Sequence, residues 1–172
     1  MSGHNKWSQI KNKKALTDKK KGQIFSKLSR LITLAAKKST DPKSNPFLAQ
    51  AIENAKSVNM PNENIERAIK KVSDKNQTQL EELSVEALGP GGVALKIKAI
   101  TDNRNRTMAE IKKILTENNS KLVQPGSLTW MFNQPLTLND TFVHEQVNKL
   151  FEALDDQDEV EDVISNLSES TE

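Results

Sequence analysis

The chain has 172 residues, of which 35% are hydrophobic and 28% charged, with no cysteine and a net charge of +2. That length holds one domain or two small ones, at roughly 100–200 residues per domain, and the missing cysteine excludes disulfides, thiolate catalysis and Cys-based zinc sites. The small net charge conceals an asymmetry: residues 1–80 carry 17 Lys+Arg against 6 Asp+Glu, and residues 81–172 carry 8 against 17, which points to a polyanion partner for the basic half.

Residues 1–16 form a basic leader that lacks the apolar core of a secretory signal. No apolar run approaches the ~20 residues of a membrane-spanning helix, so a cytoplasmic, membrane-free setting is expected. Ile24, Phe25, Leu28, Leu31, Ile32 and Ala35 recur at helical spacing. They predict an amphipathic helix over about 17–38, with Lys27, Arg30, Lys37 and Lys38 off its apolar stripe. Gly22 lies inside that pattern and weakens the helix by ~1 kcal/mol relative to alanine. After a loop at 39–44, Asn45 is a good N-cap and Pro46 suits the first helical position. Phe47, Leu48, Ala51, Ile52 and Ala55 are then the inner face of a second helix. Pro61 opens a third helix, with Ile65, Ala68, Ile69 and Val72 inward, and residues 75–78 read as a polar linker.

The second half alternates. Residues 83–88 predict a strand and Gly89-Pro90-Gly91-Gly92 a turn. Val93, Leu95, Ile97 and Ala99 then alternate with Lys96 and Lys98, the period of a half-buried strand. Thr107 and Glu110 have capping-box spacing, so a helix is expected from Met108 to about Asn118. A turn at Gln124-Pro125-Gly126 precedes Leu128, Trp130 and Phe132, which alternate as a strand. A helix over 141–154 is predicted, with Phe142, Val143, Val147, Leu150, Phe151 and Leu154 inward, and a last strand at 159–165. The order β-β-α-β-α-β suggests a small sheet covered by helices on one face. The expected fold class is therefore α+β. An N-terminal three-helix domain over 1–78 is followed by a small ferredoxin-like α/β domain over 79–172.

Little here suits catalysis. His4 sits in the basic leader and His144 on a helix surface. No HExxH, GxSxG or Walker pattern occurs, and the glycines at 89–92 lack the Lys-Ser/Thr of a P-loop. The acidic cluster at 155–159 lacks the glycine and spacing of a calcium loop. No enzyme activity, catalytic residue, metal, cofactor or small-molecule substrate is expected.

Recognition remains. Lys6, Lys11, Lys13, Lys14, Lys19, Lys20, Lys21, Lys27 and Arg30 can each replace a condensed counterion on a phosphate backbone. Lysine is a point charge, so such a surface favours phosphates over base edges. Trp7 either stacks on a base or anchors the leader on the bundle. At TDNRNR, residues 101–106, Arg104 and Arg106 flank a helix start, where an anionic group is favoured. The alternative there is a structural turn with Asp102 paired to an arginine.

The blocks MSGHNKW, IKNKKA, KGQIFSKLSRLIT, NPFLAQAIENAKSVNMPNENIERAIKK, GPGGVALKIKAITDNRNRT and GSLTWMF resemble the YebC family in order across residues 1–133. The resemblance implies an N-terminal helical domain followed by two α/β domains. Family members are described as DNA-binding transcriptional regulators, the mitochondrial ones as translational activators, and bacterial ones have been linked to the ribosome. After Trp130-Met131-Phe132 the family continues into an inserted domain, whereas here Asn133-Gln134-Pro135 leads directly to a stretch resembling the closing helix and strand. The inserted domain is thus expected to be absent near 133–136.

The expectation is a nucleic-acid-binding regulatory protein of the YebC type. It is either a DNA-binding transcriptional regulator or a ribosome-associated translation factor contacting ribosomal RNA or tRNA. A protein-interaction adaptor is the alternative, because Asp155 to Glu172 holds 8 acids and no Lys or Arg.

Overall fold

The structure, a computed structural model, describes residues 17–75 and 79–168. These residues divide into two compact units, one of residues 17–75, 79–81 and 100–102, the other of 82–99 and 103–168. The predicted linker at 75–78 lies mostly outside the described residues.

The first unit is built on three helices, α1 (Asp18–Ala36), α2 (Pro46–Ser57) and α3 (Asn62–Lys70), the last followed by a 3₁₀ turn at Lys71–Ser73. Thr17 caps α1 by accepting from the Lys20 amide at 3.4 Å. Of the expected stripe, Ile24, Leu28 and Ile32 are buried, Phe25, Leu31 and Ala35 are partly buried, and Ala36 is buried in place of Ala35. Asn45 caps α2 as predicted, its Oδ1 accepting from the Leu48 amide at 3.2 Å. Its Nδ2 donates to the carbonyls of Ala35 and Ser39, each at 2.8 Å, so one buried side chain closes α1 and opens α2. Phe47, expected inward, is exposed, and the Lys38 ammonium stands 5.0 Å from its ring centroid. Leu48, Ala51 and Ala55 carry the packing of α2 without it.

Gly22 is exposed on α1 with nothing within 4 Å of where a Cβ would stand. Gly22→Ala is expected to raise stability by about 0.5–1 kcal/mol. A urea midpoint unchanged or lower in the variant would count against an unstrained helical site there.

In the second unit, β1 (Glu81–Leu88), β2 (Ala94–Thr101), α4 (Arg104–Glu117), β3 (Lys121–Val123), α5 (Thr141–Asp156) and β4 (Val160–Ser165) follow in that order. The four strands form one sheet in the order β3-β1-β2-β4, with β3 antiparallel to β1 and β4 antiparallel to β2. Leu83, Val85 and Ala87 of β1 and Leu95, Ile97 and Ala99 of β2 share a core with Ile111 and Leu115 of α4 and Val147, Leu150 and Leu154 of α5. The fold is mixed α+β. The expected ferredoxin-like order is not found: the unit opens with two successive strands and runs β-β-α-β-α-β, where a ferredoxin-like domain runs β-α-β-β-α-β.

Three expectations differ locally. The third strand is Lys121–Val123, and Thr129–Asn133 is a 3₁₀ segment that leaves Trp130 60% exposed. The cause lies in β1. The Glu86 carboxylate accepts from the Gly126 amide at 3.0 Å and the Leu128 amide at 3.1 Å, folding the loop back before it can pair. Helix α4 begins at Arg104, not Met108, because Asn103 takes the N-cap and accepts from the Arg106 amide at 3.1 Å. Phe142, expected inward, is 65% exposed. It is out of step with Val147, Leu150, Phe151 and Leu154, the buried residues of α5, which recur at 3–4-residue spacing.

The segment Gln134–Leu138 is sewn onto the end of β4. The Leu136 amide donates to the Asn166 carbonyl at 2.7 Å, and the Ser168 amide donates to the Leu136 carbonyl at 2.8 Å. Leu136 and Leu138 pack against the core.

Candidate nucleic-acid interface

Apart from Arg30, which lines a cleft in the first unit, the candidate residues fall into four groups. Lys6, Trp7, Lys11, Lys13 and Lys14 lie outside the described residues. Lys19, Lys20 and Lys21 are exposed on the first turn of α1. Lys27 is a correction: it is only 1% exposed. Its place three residues after Ile24 and four before Leu31 puts it on the packed side of α1, where its long stem fills space and no phosphate reaches its head.

Arg104 and Arg106 form the fourth group, at the start of α4. Arg104 is exposed. Arg106 forms an ion pair with Glu159, and the buried Thr107 hydroxyl donates to the same carboxylate. Gln157 braces this corner, its Oε1 accepting from the Glu159 amide at 2.7 Å and its Nε2 donating to Glu110 at 2.7 Å. The guanidinium is therefore engaged by an internal carboxylate, so an external anion would have to compete for it. The ion pair found at this arginine is with Glu159, where the sequence suggested Asp102.

The first unit assembles a larger basic feature. Helices α1 and α3 touch where the Thr33 hydroxyl donates to the Ala68 carbonyl at 2.8 Å. Beside that contact opens a cleft of about 1090 Å³. Arg30 and Lys37 line it from α1, Arg67 from α3, and Lys71 and Lys75 from the segment that follows. Asp74 and Asp102 are the acids in its lining. Ser26, Arg30, Thr33 and Lys37 follow one another at 4, 3 and 4 residues, and Asn64, Arg67, Lys71 and Lys75 at 3, 4 and 4. Such spacing keeps Ser26, Arg30 and Thr33 on one face of α1 and Asn64 and Arg67 on one face of α3, while Lys37, Lys71 and Lys75 reach the same cleft from just beyond the two helix ends. The two rows line one cleft, and Lys19 continues the first row toward the N-terminus of α1. The Lys37 ammonium donates to the Leu80 carbonyl, which holds that charge at the rim.

Five cations against two carboxylates leave an electropositive concavity, and low-dielectric walls focus its field on an incoming anion. Of its cations, only Arg30 was among the sequence-derived candidates. Arg67 and Lys71 stand four positions apart in the sequence, but such a basic pair at the end of one helix is usually a solvated face. What makes it a site is the second row on α1, brought opposite by packing.

Comparison with known proteins bears on the whole chain. Residues 5–75 match the TACO1/YebC protein N-terminal domain. Residues 80–138 match the TACO1/YebC second and third domain. A "Probable transcriptional regulatory protein" of Prosthecochloris aestuarii is 52% identical over 136 residues, covering 78% of this chain and 54% of that protein. One of the same name from Trichodesmium erythraeum is 42% identical over 167 residues, covering 96% of this chain and 66% of that protein. The crystal structure of a conserved hypothetical protein, Aq1575 of Aquifex aeolicus, superposes with a TM-score of 0.83 at 30% identity, covering 95% of this chain and 96% of that one. The chain spans about half the length of the first curated relatives it matches, at 54%. With both family domains matched in order and a structural relative covered almost end to end, the chain belongs to the TACO1/YebC family.

Proposed function

We propose that this protein is a nucleic-acid-binding regulatory protein that engages a phosphate backbone through its helical unit. The observation that carries the reading is the pair of basic rows lining one cleft, with Lys19, Lys20 and Lys21 exposed at the start of α1. Regulation is supported by the name its relatives carry, "Probable transcriptional regulatory protein". Lysine–phosphate contacts serve DNA and RNA alike, so a transcriptional and a ribosome-associated role are both compatible with the charge arrangement. The adaptor alternative is weakened because two of its acids are engaged or enclosed: Glu159 pairs with Arg106, and Glu161 is buried. We also propose that Gln134–Leu138 bypasses the family's third domain, so whatever that domain does in relatives is not carried over.

Replacing Lys19, Lys20 and Lys21 together by glutamate is expected to cost at least about tenfold in affinity and to flatten the dependence of log K on log salt. Fluorescence anisotropy with labelled RNA and DNA measures both. All three side chains are exposed, so the thermal midpoint is expected to stay within a few degrees. Unchanged affinity and salt slope would remove α1 from the contact surface. Sedimentation of lysate at low and high salt separates the two regulatory settings. Salt-labile co-migration with ribosomes supports the translational one, and its absence favours DNA.

A further inference from the structure

We infer that the cleft between α1 and α3 seats a short single-stranded stretch of polynucleotide, with a base stacked on Phe25. This rests on the nucleic-acid reading above and narrows it to a strand form. The cations in question line a concavity whose floor is the direct contact of two helices, at Thr33 and Ala68. Packed helices have axes only about 8–10 Å apart. A duplex, whose major groove alone is about 12 Å wide, cannot descend between them, so it would meet only the rim. A single strand can follow the two rows with its phosphates inside.

The non-ionic lining fits the same ligand. Phe25 is half-buried in α1 and lines the cleft beside Arg30. Ser26, Ser29 and Asn64 add hydroxyls and an amide, groups able to hydrogen-bond sugars and base edges. A basic groove with an aromatic platform is the arrangement by which single strands are held without strong sequence preference. The volume of about 1090 Å³ lies just above the roughly 300–1,000 Å³ of small-ligand pockets, so the cleft has room for more than one mononucleotide.

The test is fluorescence anisotropy on the full chain with a labelled single-stranded octamer, as RNA and as DNA, and with the blunt duplex of the same sequence. The single strands are expected to bind more tightly than the duplex. Arg67→Glu with Lys71→Glu should lose at least about tenfold and lower the salt slope, since phosphate contacts release counterions. Phe25→Ala should also lose about tenfold, the size of one stacking contact, with its salt slope unchanged. Phe25→Leu keeps the apolar bulk but lacks the ring face, so it should lose affinity too and serves as the reading should the alanine variant unfold. Comparison of the RNA and DNA octamers shows whether the 2′-hydroxyl is recognised.

Equal or tighter duplex binding, or full single-strand affinity in the folded Phe25 variants, overturns the inference. If the cleft variants bind normally while the triple lysine variant does not, the inference fails and the nucleic-acid reading stands. If the unaltered chain shows no salt-sensitive affinity for any of the three probes, the reading itself fails.

Discussion

Gly91→Ala is expected to destabilise the protein by about 3 kcal/mol, combining a left-handed backbone penalty of ~1–2 kcal/mol with overpacking of ~1–3 kcal/mol. Gly91 has φ +69°, and a Cβ there would stand 2.7 Å from Val143 Cγ1 and 2.9 Å from Leu138 Cδ2. Val143 lies on α5 and Leu138 at the end of the Gln134–Leu138 segment, so the collision spreads into two neighbouring elements. Gly92 is the matched control. It has φ +80° but nothing within 4 Å of its Cβ position, so Gly92→Ala should cost only the backbone share. Urea denaturation of the two variants decides the matter, and equal losses would show that close packing at Gly91 contributes nothing. The result bears on function because it separates the glycine-rich turn from phosphate binding. A turn this closely packed needs glycine for space.

Asn166→Ala is expected to cost about 2–3 kcal/mol, the loss from leaving a buried donor and acceptor without partners. Asn166 is buried between three parts of the second unit. Its Oδ1 accepts from the Ala94 amide at 2.9 Å, and its Nδ2 donates to the Gln134 carbonyl at 3.4 Å. Its carbonyl holds the Leu136 amide at 2.7 Å. One side chain thus joins the start of β2, the Gln134–Leu138 segment and the end of β4. Thr137→Val removes a neighbouring hydrogen bond, the exposed 2.9 Å contact with Ser168, and should stay within about 0.5 kcal/mol. A loss at Asn166 no larger than at Thr137 would mean that the Gln134–Leu138 segment is not held by this residue.

Much of the fold was legible wherever the determining interaction was local. The Asn45 cap, the stripe of Ile24, Leu28 and Ile32, and the alternation of Leu95, Ile97 and Ala99 depend on neighbours a few residues away. Each came out where its spacing placed it. The misreadings share a different cause. Trp130 and Phe132 alternate with Thr129 and Met131 as a strand would, yet a carboxylate more than forty positions earlier, on Glu86, gathers their loop into a turn. Thr107 has a capping spacing, but its hydroxyl answers to Glu159. Phe142 is apolar and near the right place, but one position out of step with the face α5 buries.

The candidate site divides along the same line. Composition and order alone determined that the first half of the chain is strongly basic, that helices come before an alternating α/β half, and which family the blocks resemble. These are properties of residues and their spacing, and they survive without knowing what packs on what. Tertiary structure decided which charges are usable. It buried Lys27, tied Arg106 to Glu159, and set the Arg30 row beside the Arg67 and Lys71 row on a shared cleft. Periodicity names the face of one helix; only the packing of the second helix says what that face looks upon.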